Sequence, residues 1–400
     1  MAGDAGRHPG LNRAALMAQA EQDSGLSHWG VDRTFEEGLD RLVDAVEAMP
    51  FAAALREAVA TQVTQLLATR LQLEEDARQQ PEILRGEICR PLIVLGLPRT
   101  GTTWLFELLA LDQGARAPLT WEAAAPWPAP ELATFATDPR IRRTQAGFDA
   151  MLQAVPELAT MHPFGATVPA ECNAITQLHF ASSNFWAAYD VPDYLRWLTE
   201  APAPGAMNIH RRVLQQLQWK GPKGRWVLKS PPYLLMLEDL LAAYPDACLV
   251  QTHREPAKMV ASLANMIRAL RRARYPDIAD LLEPESIARS VLYHFGTALQ
   301  RGVTSREDPG VESRFLDIAY RDLVRDPVGT VRRIYDRFDL PWTAALDERL
   351  KSHINRRRST GHGKHIYDPA EFDIDALNLP DRFPEYRARF GDLLADSVAD

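Results

Sequence analysis

Apolar residues recur at helical spacing in the first part of the chain, from Phe35 to about Leu73. This spacing predicts amphipathic helices, and Pro50 divides the pattern into two of them. We expect the helices of residues 31–85 to pack on the main domain and not to form a domain of their own. The polar character of residues 1–30 predicts a loose N-terminus.

Short apolar runs then alternate with helical patterns through residues 91–340, which we interpret as the core of a single domain spanning residues 31–400. The runs that predict strands lie at 92–95, at 225–228, in "ACLVQTHREP" and in "SRFLDIAYRDL" (313–323). Helical patterns occupy 138–155, 169–187, 192–199 and 206–219 within an insertion at 138–220, and then 233–245, 257–273 and 327–338. The proline-rich segment 117–131 predicts an ordered loop.

This alternation predicts an α/β fold with a parallel, P-loop-like sheet flanked by helices. Binding sites in such sheets lie at the carboxyl ends of the strands. We therefore expect the N-terminal and inserted helices to cover the active site, and residues 341–400 to supply a cofactor loop and a tail.

Composition excludes several classes of function. The net charge of −8 over 400 residues gives no general electrostatic affinity for nucleic acid. Three widely separated cysteines argue against a disulfide framework and a structural zinc site, so no metal is expected. The N-terminus has no signal-peptide core, and no run of about 18 apolar residues predicts a membrane span. We expect a cytoplasmic protein.

The stretch "GLPRTGTTWL" combines features of an anion-binding loop between a strand and a helix. Gly96 and Gly101 permit tight bends, Arg99 offers a planar charged fork, and Thr102 and Thr103 place hydroxyl groups at the helix start. The Gly-Lys-Ser/Thr of ATP-hydrolysing loops is missing, since a threonine follows the second glycine. The sequence thus predicts an anion other than the usual ATP.

Two more strand ends carry groups suited to anions. Lys229 ends the strand of "VLKSPPYL", and Arg254 follows the strand of "LVQTHREP", with Ser262 eight residues further on the next helix. Each alone would be explained by a surface charge or an ion pair. Three such positions at neighbouring strand ends favour one shared site.

In their order and spacing, these motifs resemble the PAPS-dependent sulfotransferases, and bacterial members in particular, over residues 30 to 375. PAPS is 3′-phosphoadenosine 5′-phosphosulfate, and its product is 3′,5′-ADP. "GLPRTGTTWL" is similar to the family's 5′-phosphosulfate loop, and "HREPAKMVAS" to its 3′-phosphate motif. The resemblance implies in-line sulfuryl transfer to a hydroxyl or amine without a metal.

The resemblance also implies roles for individual residues. Those matched to the 5′-phosphosulfate loop are Arg99, Thr100, Gly101, Thr102 and Thr103. Trp104 would stack on adenine, while Arg254 and Ser262 would bind the 3′-phosphate. The basic segment 355–368 is a counterpart of the family's late cofactor loop, which makes Arg357, Arg358 and Lys364 candidates without residue-by-residue matching. Lys229 would neutralise charge on the leaving group.

The general base is not where many cytosolic members have it, because Pro231 occupies the position of their histidine. The resemblance to glycosaminoglycan-type members implies Glu122 in "LTWEAA", and His162 in "MHPFGA" is the competitor. Glu171 is interpreted as a charge at a helix N-terminus, and His253 as support for Arg254.

The acceptor is expected to be a small, partly apolar molecule, such as a lipid-like or phenolic alcohol. The segments expected around it, 117–135 and 140–220, are rich in aromatic residues. Two alternatives stay open: an atypical P-loop phosphotransferase that uses ATP, and a nucleotide-binding protein without catalysis. The sequence leaves the oligomeric state undefined.

Overall fold

The N-terminal region is helical and packs on the rest of the chain. The computed structural model describes residues 11–49, 53–201, 203, 205–274, 283–360, 368–373, 377–379 and 382–394. The first helices are α1 (Arg13–Ser24), α2 (Phe35–Ala48) and α3 (Ala53–Gln79), so the predicted division into two helices is confirmed, while Pro50 itself lies outside the described residues. The predicted loose terminus is wrong for residues 13–24. Asn12 caps α1, and Leu16 and Ala20 are buried, because α1 packs against α3.

The centre of the protein is a five-stranded parallel sheet, which confirms the predicted fold class. Its strands are β1 (Leu92–Gly96), β2 (Ala115–Arg116), β3 (Arg225–Lys229), β4 (Cys248–His253) and β5 (Phe315–Ala319). They are arranged in the order β2-β3-β1-β4-β5, with β1 between β3 and β4. All carboxyl ends therefore lie at one edge of the sheet.

Helices connect these strands and form the insertion before β3. They are α4 (Thr102–Leu109), α5 (Thr120–Ala124), α6 (Pro139–Ala154), α7 (Leu158–Met161), α8 (Asn173–Thr176), α9 (Ser183–Ala188), α10 (Pro192–Glu200) and α11 (Ala206–Lys220). The single helix predicted over 169–187 is wrong. Phe180 has a left-handed backbone (φ 53°), and Ser182 caps a new helix, which separates α8 from α9.

The remaining helices follow β3, β4 and β5. They are α12 (Leu237–Ala243), α13 (Ala257–Arg274), α14 (Pro284–Ser305), α15 (Pro309–Glu312), α16 (Tyr320–Arg325), α17 (Pro327–Arg337), α18 (Ala344–Thr360) and α19 (Pro384–Leu394). Short 3₁₀ turns occupy Leu132–Thr137, Gln177–His179, Pro231–Met236 and Pro369–Phe372. The helix predicted from residue 233 begins later, after the 3₁₀ turn that Pro231 and Pro232 start.

Alternate residues of β1 face two different cores. Ile93 and Leu95 pack with the N-terminal and inserted helices, whereas Leu92 and Val94 pack with α4, α17 and α18. This is why the strand reads as a continuous apolar run. Within the described residues, no helix combines the length and apolarity needed to cross a membrane.

Two fully buried histidines predict acid sensitivity between about pH 6.5 and 5. Burial lowers the pKa of His210 and of His294 to about 3, so only the unfolded chain gains their protons in this range. Their contribution to stability is present above the unfolded pKa and is lost as pH falls. We expect a loss of about 1 to 2 kcal/mol per histidine, measured by urea unfolding.

The matched variant is the double substitution His210→Gln and His294→Gln, which should flatten most of this dependence. A smaller slope should persist, because burial also lowers the pKa of His253. An unchanged slope in the double variant would contradict the assignment.

Candidate active site

The loop that joins β1 to α4 has a backbone that only glycine permits at two points. Gly96 and Gly101 have φ angles of 124° and 90°. A side chain on Gly96 would lie 2.6 Å from the backbone oxygen of Thr252, and one on Gly101 would lie 2.9 Å from Leu323. The loop therefore packs closely on its neighbours, with the N-terminus of α4 at its end.

Thr100 holds this loop in place. Its hydroxyl lies 2.6 Å from the backbone oxygen of Leu97 and 2.6 Å from the hydroxyl of Thr252 on β4, and its side chain is buried. The backbone N–H of Thr100 also donates a hydrogen bond to the backbone oxygen of Leu97. The polar groups of Thr100 are thus used inside the protein, and its contact with the donor stays a prediction.

One cavity of about 360 Å³ joins the ends of β1, β3 and β4. Most of the predicted site residues line it: Arg99, Gly101, Thr102, Thr103, Trp104, His162, Lys229, Arg254 and Arg357. Arg254 packs its guanidinium 4.1 Å above the ring of Tyr320 and donates a hydrogen bond to the backbone oxygen of Arg99. The sheet thus brings the three motifs together.

A buried lysine links the loop to a carboxylate that the motifs did not identify as a base. Lys229 donates a hydrogen bond of 2.9 Å to the hydroxyl of Thr103 and forms an ion pair with Glu171. His162 lies 3.5 Å from the same carboxylate oxygen through Nε2, and its Nδ1 lies 2.8 Å from the backbone oxygen of Pro163. Glu171 is thus held between a lysine and a histidine at the cavity wall.

A long-range backbone contact places Glu171 there. The N–H of Cys172 donates to the backbone oxygen of Lys229, and Pro169 bridges to Leu119. Glu171 precedes α8 and does not serve as its cap. Local sequence pattern gives no signal for this role, because the placement depends on a strand 58 residues later.

The charge of Glu171 follows from its neighbours. Burial alone would raise its pKa, but Lys229 and His162 outweigh this effect and hold the pKa at about 2. The carboxylate is therefore ionised at neutral pH. Its side chain is 30% exposed, so a ligand in the cavity can reach it.

The structure places Glu122, the predicted general base, away from the cavity. Its side chain is fully buried and does not line the cavity. One carboxylate oxygen accepts a hydrogen bond of 2.5 Å from Arg116, and the other accepts one of 3.0 Å from the backbone of Leu119. Arg116 in turn binds the carbonyl oxygens of Leu217 and Pro222, so Glu122 anchors the structure.

Helix α18 covers part of Trp104. His353 stacks on the indole ring at 5.6 Å, and the guanidinium of Arg357 lies 4.1 Å from its centre. Arg357 is oriented by an ion pair with Glu107. Of the other basic candidates, the side chain of Arg358 and all of Lys364 lie outside the described residues.

Apolar side chains from the insertion, α13 and α14 form the other end of the cavity. They are Met161, Phe164, Trp186, Leu263, Met266, Ile267, Leu270 and Phe295. Most of the other aromatic residues of the insertion are core, including Phe180, Phe185, Tyr189 and Tyr194. Ser262 is buried on α13 beside this wall but does not line the cavity, so its contact with a phosphate stays a prediction.

Comparison with known proteins agrees with this geometry. The model of the family described as "Sulfotransferase family" matches residues 91–344. The chain is similar to the sulfotransferase STF9 from Mycobacterium avium, with 30% identity, a TM-score of 0.85 and coverage of 98% of this chain and 99% of that one. It is also similar to the sulfotransferase STF1 from Mycobacterium tuberculosis, with 28% identity, a TM-score of 0.80 and coverage of 94% of this chain and 100% of that one.

A curated relative shares part of this likeness. Omega-hydroxy-beta-dihydromenaquinone-9 sulfotransferase Stf3, from Mycobacterium bovis and Mycobacterium tuberculosis, is 27% identical over 284 residues. The match covers 66% of this chain and 66% of the relative, slightly less than two thirds of its length.

The pair of Arg116 and Glu122 predicts a loss of stability on substitution. Glu122→Gln leaves the guanidinium buried without its counter-charge, so the free energy of unfolding should fall by about 3 kcal/mol or more in chemical denaturation. The control is Glu131→Gln in an exposed position, which should change little. Unchanged stability with lost turnover would support Glu122 as the base.

Proposed function

The chain belongs to the sulfotransferase family, and on that premise we propose that it transfers a sulfuryl group from PAPS to the hydroxyl of an apolar small molecule. The observation that carries this proposal is a single cavity in which the loop after β1, Lys229, Arg254 and an ionised Glu171 meet. Sulfotransferases as a class take the sulfuryl group from PAPS.

The residues at the end of β1 suit the 5′-phosphosulfate end. Thr102 and Thr103 start α4, where the helix dipole and the backbone N–H groups favour negative charge. Lys229 brings a positive charge to within 2.9 Å of the hydroxyl of Thr103. Arg99 lines the same part of the cavity, and as an arginine it acts by its charge and not by releasing a proton.

Residues on the other side of β1 suit the 3′-phosphate. Arg254 lies at the end of β4, and its packing on Tyr320 holds the guanidinium at the cavity. Arg357 adds a second positive charge, and Trp104 offers ring surface for adenine. Ser262 completes this set by its place in the motif. A site with cations for both ends of the nucleotide distinguishes PAPS from 5′-AMP.

Glu171 is the general base in this proposal. It is ionised, it is accessible from the cavity, and it adjoins the lysine that would stabilise the leaving group. Its low pKa depends on Lys229, so an anion that attracts Lys229 makes the carboxylate more basic. His162 lies on the same carboxylate and orients it.

The apolar end of the cavity defines the acceptor class. Phe164, Trp186 and Met266 belong to a wall that would exclude water around a hydrocarbon or an aromatic ring, while Asn184 is a polar group among them. The relative Stf3 is named for an omega-hydroxy-beta-dihydromenaquinone, an apolar molecule with a hydroxyl group. We therefore propose an apolar alcohol as the acceptor.

Nucleotide binding tests the donor. Titration calorimetry should show tighter binding of 3′,5′-ADP than of 5′-AMP or ATP, because Arg254 has a partner only in the first. Arg254→Ala should raise the dissociation constant of 3′,5′-ADP by about 10- to 100-fold, which corresponds to the usual free energy of a hydrogen bond between charged groups. Arg289→Ala, which removes an equal charge from an exposed site, is the control. Tighter binding of ATP would favour a phosphotransferase.

Turnover tests the base. With PAPS and a panel of long-chain alcohols and phenols, Glu171→Gln should lower kcat by about 10²- to 10⁴-fold, because proton removal is lost. Affinity for 3′,5′-ADP should change far less. His162→Gln should have a smaller effect, and the exposed Glu157→Gln none. The reverse order, with His162→Gln the inactive variant, would make the histidine the base.

A further inference from the structure

The C-terminal helix α19 holds both neighbours of Arg254. His253, Arg254 and Glu255 are consecutive residues where β4 ends. Two consecutive residues of α19 bind the outer pair: Tyr386 contacts His253, and Arg387 contacts Glu255. The arginine proposed to read the 3′-phosphate thus lies between two attachments to a helix about 130 residues away.

The attachment of His253 is fully buried. Its Nε2 lies 2.7 Å from Asp317 on β5, and its Nδ1 lies 2.8 Å from the hydroxyl of Tyr386. Because Asp317 accepts from Nε2–H, Nδ1 carries the lone pair, and the Tyr386 hydroxyl donates to it. Arg306 binds both oxygens of Asp317 at 2.8 Å, which leaves the histidine no other orientation.

The attachment of Glu255 is an ion pair with two parallel hydrogen bonds. Arg387 donates to its two carboxylate oxygens at 2.7 and 2.6 Å. This geometry fixes the orientation of both groups more firmly than a single contact does. These contacts hold the side chains on both sides of Arg254, whose own side chain packs on Tyr320.

We propose that α19 is a positioning element: through Tyr386 and Arg387 it aims Arg254 and so sets the preference for nucleotides that carry a 3′-phosphate. This inference rests on the proposed function, since it assigns a cause to the reading of the 3′-phosphate. Neither Tyr386 nor Arg387 lines the cavity, so both act through residues 253–255. A helix distant in sequence thereby becomes part of donor recognition.

The test compares two affinities in the full-length protein. Calorimetric titration gives the dissociation constant of 5′-AMP divided by that of 3′,5′-ADP. This ratio is measured for the wild type, for Arg387→Gln and for Tyr386→Phe. We expect each variant to lower that ratio by about tenfold, with 5′-AMP affinity nearly unchanged. Glu255→Gln should give the same loss, and its combination with Arg387→Gln should add little more, because both break one contact.

Controls separate positioning from simple loss of structure. Arg382→Gln removes a positive charge from an exposed residue just before α19 and should leave the ratio unchanged. Tyr386→Phe removes only a hydroxyl group, so it keeps the fold if Arg387→Gln does not. The proposal is overturned if the variants weaken the binding of both nucleotides equally, or change the binding of neither. If the wild type itself has no preference for 3′,5′-ADP, the proposed donor fails as well.

Discussion

The parallel pairing of β1 with β3 on one side and with β4 on the other is the constraint on which the site depends. It places Gly96, Lys229 and His253, the last residues of three strands that are far apart in sequence, at one edge of the sheet. No single strand carries enough groups to bind a nucleotide. The sheet assembles them, and α4 adds the positive end of its dipole.

Buried charges then link distant segments of the chain. A lysine as buried as Lys229 needs a counter-charge, and Glu171 supplies it from the insertion. Arg116 and Glu122 form a second buried pair behind the cavity, and Arg306 and Asp317 are joined beneath the end of β4. Removal of one partner of such a pair is far more damaging than removal of both, which makes these contacts specific.

The sequence was a good guide to the parts of the site that are local. The glycine loop, Lys229 and Arg254 each lie within one strand and its following turn, so their motifs predicted where they lie. Local sequence does not separate Glu122 from Glu171, because each is a glutamate in a segment with nearby prolines. What separates them is a partner elsewhere in the fold, Arg116 for one and Lys229 for the other.

Elements whose cause is tertiary were also missed. Helix α1 has little apolar periodicity of its own, and α3 provides the surface that stabilises it. The break between α8 and α9 depends on one residue, Phe180, with a backbone conformation that its residue type does not favour. In both cases packing decided between conformations that the local sequence permits.

The hydrogen bond between the hydroxyl groups of Thr100 and Thr252 joins two segments that carry charged residues of the site. It ties the loop after β1, which carries Arg99, to the strand that ends beside Arg254. The backbones that carry these two arginines are therefore held at a fixed separation. A donor with two anionic groups, as proposed, would have to match that separation.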